Sequence, residues 1–127
     1  MPTTLTTFSV RNADRGTILA TNGQRASSYW ARFWGLMFKK RVPEGGGILL
    51  TRSNSIHSCF MRFRFDAIFL DKDDRVVKIV PSMRQWWLAF GGRGAKDTLE
   101  LPAGVAERTN TQKGDLLVFE EVNAPSS

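Results

Sequence analysis

About seven or eight short strand-like segments run between turn signals along this chain, and no strong long helix is among them. Asn-Ala-Asp-Arg-Gly (residues 12–16), Asn22-Gly23, Gly45-Gly46-Gly47, Asp71-Lys72-Asp73-Asp74, Gly91-Gly92-Arg93-Gly94 and Lys113-Gly114-Asp115 divide it. The intervening segments are rich in β-branched and aromatic residues, often alternating apolar with polar. Such spacing points to an all-β sandwich or barrel. The expected fold is therefore mainly β: a compact antiparallel β-barrel or jelly-roll-like sandwich with one or two short helices.

The expected strands are Thr4–Val10, Thr17–Thr21, Ile48–Thr51, Ile56–Phe63, Ala67–Leu70, Arg75–Val80, Asp97–Leu101 and Leu116–Val122. Asn22-Gly23 reads as a turn, and Pro81 reads as the end of a strand because proline cannot donate to a ladder. The strongest hairpin joins Ala67–Leu70 to Arg75–Val80 through the acidic four-residue connector. Two helical segments are expected. In Ser27–Phe38, Trp30, Phe33, Trp34, Met37 and Phe38 fall on one helical stripe. Ala103–Arg108 follows Pro102, which suits a first turn.

With 127 residues, the chain has the length of a single domain spanning 1–127, with 123–127 as a tail. Apolar residues make up 42% of it, including nine Phe and four Trp. That is enough to fill a core without a disulfide or a metal. Cys59 is the sole cysteine, so no internal disulfide can form. The N-terminus lacks the basic start and apolar stretch of a secretory signal, and no apolar run is long enough for a transmembrane helix. The expected compartment is the cytoplasm.

Charge is unevenly placed. Residues 25–64 carry eight Lys or Arg against Glu44 alone, while the remaining chain is nearly balanced. A solubilising basic face accounts for this, and so does an anionic partner such as nucleic acid. The triple glycine at 45–47 is not a phosphate cradle, because the strand-like Ile48-Leu49-Leu50 follows instead of Gly-Lys-Ser/Thr and a helix.

Few residues have the makings of catalysis. His57 and Cys59 stand two apart on an expected strand, so their side chains are separated by roughly 6–7 Å. That is too far for a thiol–imidazole hydrogen bond, and apolar neighbours disfavour a thiolate at Cys59. A single His cannot build a structural zinc site. No cofactor and no metal are expected. Asp66, with Arg62 and Arg64 nearby, reads first as a structural acceptor of backbone N–H groups or of Arg62. Trp86, Trp87 and Phe90 lie among Arg84, Arg93 and glycines, a mixture suited to stacking or to a binding hot spot. Glu100 and Glu107 lack the surroundings of glycosidase carboxylates.

Gly35-Leu36-Met37, Ser55-Ile56-His57, Phe60-Met61-Arg62-Phe63, Asp66 with Ile68-Phe69-Leu70-Asp71, and Leu99-Glu100-Leu101-Pro102-Ala103-Gly104 occur in that order, closed by Gly114-Asp115. In these motifs, from about residue 25 to 119, the chain resembles the prokaryotic family called domain of unknown function 192. The resemblance implies a compact, mostly antiparallel β-domain with Glu100, in one of its motifs, as a structural residue, and assigns no activity. Arg64 stands where the family often has proline.

These readings converge on a non-catalytic ligand- or partner-binding module. Its expected site is a cleft lined by His57, Met61, Arg62, Asp66, Trp86 and Trp87, with Arg62 meeting an anionic group and Trp supplying apolar area. The partner would be a small molecule or a protein. The alternatives are single-stranded nucleic-acid binding by the basic 25–64 face and a hydrolase-like enzyme.

Overall fold

A computed structural model describes residues 7–26, 44–51, 55–57, 64–83 and 88–121. Nine strands are described: β1 (Thr7–Asn12), β2 (Thr17–Ala26), β3 (Gly46–Leu50), β4 (Ser55–His57), β5 (Phe65–Leu70), β6 (Val76–Met83), β7 (Leu88–Phe90), β8 (Asp97–Pro102) and β9 (Leu117–Glu121). A single turn of helix, α1 (Val105–Arg108), follows β8. Seven strands form one sheet in the order β6-β5-β8-β3-β2-β1-β9, and β4 pairs with β7 in a separate ladder.

The large sheet is curled into a half-barrel. Its outer strands, β6 and β9, meet at one end, where Arg75 bridges Leu116. Backbone bonds from Val76 N to Asp115 O and from Leu117 N to Asp74 O close the seam there. Inside the curl lies a core to which every strand of the sheet contributes: Phe8, Leu19, Leu49, Ile68, Val76, Leu99 and Leu117, with Val105 and Ala106 of α1. The other face carries a second apolar layer of Ile48, Leu50, Phe65, Ala67, Phe69 and Met83. β5, buried along its whole length, serves both layers, which explains its unbroken apolar run after Asp66.

The all-β expectation holds, with local differences that have physical causes. The β2–β3 pair is parallel, whereas the other strand pairs are antiparallel. β2 does not turn at Asn22-Gly23 but continues to Ala26. Gly23 pairs with Phe8, and a Cβ there would lie 2.5 Å from the Phe8 ring; the glycine makes room for an aromatic rather than a turn. Gly46 and Gly47 are buried within β3 rather than in a loop. β6 runs through Pro81, which is tolerated because β6 is an edge strand. Beyond Pro81, where no further strand was expected before Asp97, the chain holds the end of β6 and the short β7. Pro102 ends β8, and α1 begins later than expected, capped by Gly104. The Ser27–Phe38 stripe lies outside the described residues.

β7 leads into a segment that packs on the second layer. A Cβ at Gly91 would come within 2.5 Å of the Ala95 Cβ and 2.6 Å of the Phe69 ring. Gly91→Ala is therefore expected to cost about 1–3 kcal/mol by overpacking, read as a lowered urea midpoint with an unchanged slope.

Candidate functional site

Two ladders frame the candidate site. In the small one, His57 pairs with Leu88, the residue after Trp87. In the large sheet, Phe65 pairs with Met83 at the end of the β5–β6 hairpin. The chain leaves β4 at His57 and enters β5 at Phe65, and it leaves β6 at Met83 and enters β7 at Leu88. Both connections therefore start and finish at paired strands. Met61 and Arg62 belong to one, Trp86 and Trp87 to the other. These four residues, together with Cys59, lie outside the described residues, as does most of the basic 25–64 stretch. Within that stretch Arg25 sits 5.9 Å from the centroid of the Phe8 ring, and Arg64 is exposed.

The small ladder is tied to the second face of the sheet. Lys78 Nζ donates to the carbonyl of Phe90 at 2.9 Å, and Gly91 abuts Phe69. Phe90 itself is 58% exposed.

Asp66 is placed differently. Its neighbours Phe65 and Ala67 belong to the second layer, so the pleat turns Asp66 to the opposite face. The carboxylate is fully buried. Oδ1 accepts the Ser82 N–H at 2.8 Å; Oδ2 accepts those of Gly104 at 3.1 Å and Ala106 at 2.8 Å. Ser82 has φ 47, and the β5–β6 register shifts between Phe65 and Ala67. Asp66 thus pins a bulge in β6 and the start of α1 at once.

Glu100 was expected to be a structural residue, and its surroundings are unusual for one. Its register partners are Ile48 on β3 and Ala67 on β5, both in the second layer, so it shares the face to which Lys78 and Gly91 tie the end of the small ladder. It is 2% exposed, and among the described residues its Oε2 has no hydrogen-bond partner. Burial pushes its carboxyl well above the usual range, which favours the neutral acid. The available signal was a glutamate at an inward position of a central strand.

Among the described residues no three His, Cys, Asp or Glu side chains are grouped to hold a metal ion. No described helix is long and apolar enough to cross a membrane.

A model of the family DUF192, described as an uncharacterized ACR, matches residues 10–119. A UPF0127 protein of Pyrococcus furiosus is 33% identical over 111 residues, covering 84% of this chain and 93% of that protein. One from Thermococcus sibiricus is 34% identical over 113 residues, covering 86% and 73%. Two solved structures share the fold with a TM-score of 0.77. One is a protein of unknown function from Novosphingobium aromaticivorans, 18% identical, covering 90% of this chain and 84% of that one. The other, from Sinorhizobium meliloti, is 20% identical, covers 94% and 96%, and has a description that proposes a transcription regulator.

Proposed function

The chain belongs to the DUF192 family, and on that premise we propose that it is a ligand-binding domain whose cleft lies between the β4–β7 ladder and the second face of the sheet. One observation carries this reading. The strand pairing of His57 with Leu88 and of Phe65 with Met83 gives the two connections that contain Met61, Arg62, Trp86 and Trp87 common ends. Arg62 supplies a fork of donors for an anionic group, and the tryptophans supply apolar area. Asp66 fixes the framework from the opposite face, with its oxygens occupied by backbone donors.

Ligands with an acidic group on an apolar body are expected to raise the melting temperature, because a binder of the folded state stabilises it by mass action. At a hundredfold excess over Kd the gain is about 2.7 kcal/mol, several degrees for a domain of this size. Arg62→Ala and Trp87→Ala should each reduce that rise while leaving the ligand-free melting temperature nearly unchanged. An undiminished rise in both variants would refute the assignment.

A second reading, nucleic-acid binding, rests on the basic 25–64 stretch; the Sinorhizobium structure is described as a proposed transcription regulator. At 20% identity that likeness carries the fold alone, so the small-molecule reading stands first. RNA affinity falling steeply with salt would reverse the order.

A further inference from the structure

Four carboxyl groups are buried among the described residues: Asp66, Asp97, Glu100 and Asp115. Three have partners. Asp66 accepts three backbone N–H groups. Asp115 accepts bonds from Asn12, Arg15 and the Gln112 backbone. Asp97 is also partnered. Glu100 is the exception, since no partner among the described residues meets its buried Oε2. A carboxyl serving structure alone is expected to be satisfied, as the other three are, because an unmet buried oxygen destabilises the fold.

Its place on the sheet suggests what meets it. One register row runs Gln24, Ile48, Glu100, Ala67 and Val80 across β2, β3, β8, β5 and β6. Glu100 is the acid in the middle of that row, with Phe69 in the same apolar layer. We propose that the Glu100 carboxyl is the polar contact at the floor of the cleft and hydrogen-bonds a hydroxyl or carbonyl oxygen on a compact, uncharged, apolar part of the ligand. The inference rests on the reading of that cleft as a binding site and adds the chemistry of its inner end. A neutral carboxyl offers one O–H donor and an acceptor oxygen, which matches a hydroxyl. Its apolar surroundings disfavour a charged group beside it.

Phenol and toluene, alike in size and differing in one hydroxyl, separate the polar contact from apolar burial. Their dissociation constants can be measured by NMR titration against the wild type, Glu100→Gln, Glu100→Leu and Trp87→Ala. The wild type should prefer phenol by about tenfold, the scale of one net hydrogen bond. Glu100→Gln, which still donates and accepts, should keep the preference. Glu100→Leu should abolish it while still binding toluene. A preference that survives in Glu100→Leu, or an absence of phenol binding to the wild type, overturns the assignment. Trp87→Ala tests the parent reading separately: it should weaken both probes equally. If it weakens neither while Glu100→Leu still loses the preference, the tryptophan-lined cleft fails and the Glu100 contact stands.

Discussion

Asp66→Ala should remove about 3–5 kcal/mol of folding stability, enough to lower the melting temperature by roughly 10–20 °C. Three backbone N–H groups, from Ser82, Gly104 and Ala106, point at this one carboxylate. Each left without an acceptor costs about 1–3 kcal/mol, and water entering the vacated space recovers part of that. The damage spreads to two elements. The β6 bulge loses the acceptor for Ser82, whose φ of 47 is unfavourable for a residue with a Cβ. The first N–H groups of α1, which Gly104 caps without a side-chain oxygen, lose theirs as well. Asp66→Asn should fall between wild type and Ala. Its single oxygen can serve either Ser82 or the Gly104–Ala106 pair, and its NH2 then faces a donor. Urea unfolding measures both variants; a loss below about 1 kcal/mol for Ala would show that the carboxylate is not holding these elements.

Much of the architecture was legible because local signals agreed with it. The Ala67–Leu70 and Arg75–Val80 hairpin has its apolar runs and its acidic connector in adjacent residues, so nothing distant had to be known. Asp66 was legible in part: a carboxylate before an apolar strand must find donors, and backbone N–H groups or Arg62 were the expected ones, but the pleat that turns it away from the second layer depends on the register of β5. The failures come from long-range partners. The Asn22-Gly23 turn signal was overridden by the Phe8 ring, which occupies the space of the missing Cβ. Pro81 stopped a strand in the sequence reading because the position of β6 at the edge of the sheet depends on the order of all seven strands. The parallel β2–β3 pair joins segments whose approach no local pattern encodes. Glu100 is the instructive case. Its strand was expected, but the absence of a partner depends on Ile48 and Ala67, which the sheet brings to its two sides.

The seam of the half-barrel yields the second large effect. Asp115→Ala should cost about 2–4 kcal/mol, since it strips acceptors from several buried or half-buried donors. Its Oδ2 takes the Asn12 side-chain amide at 2.9 Å, Arg15 Nε at 3.0 Å and the Gln112 N–H at 2.9 Å, and Oδ1 takes Arg15 Nη2 at 3.2 Å. Asn12 in turn accepts the N–H groups of Asp14 and Arg15. The β1–β2 turn is thereby fastened to the turn before β9, beside the backbone bond from Val76 that joins the sheet edges. Burial alone would raise the Asp115 carboxyl, but the hydrogen bonds from Arg15, Asn12 and Gln112, with the Arg15 charge, outweigh it and hold it below the usual range. A depressed folded value means stability that is present above the unfolded pKa of about 3.9 and is lost as pH falls through the lower folded value. Wild type should therefore lose stability below about pH 4, and Asp115→Asn should shed much of that acid-side slope while being less stable at neutral pH. Glu100 acts in the opposite sense. Its carboxyl is raised, so its contribution is full below the unfolded pKa and lost as pH rises through the folded one. Glu100→Gln should thus gain stability over wild type as pH increases, and urea midpoints across a pH series read both slopes. An acid slope unchanged in Asp115→Asn would show that other carboxylates carry the acid sensitivity.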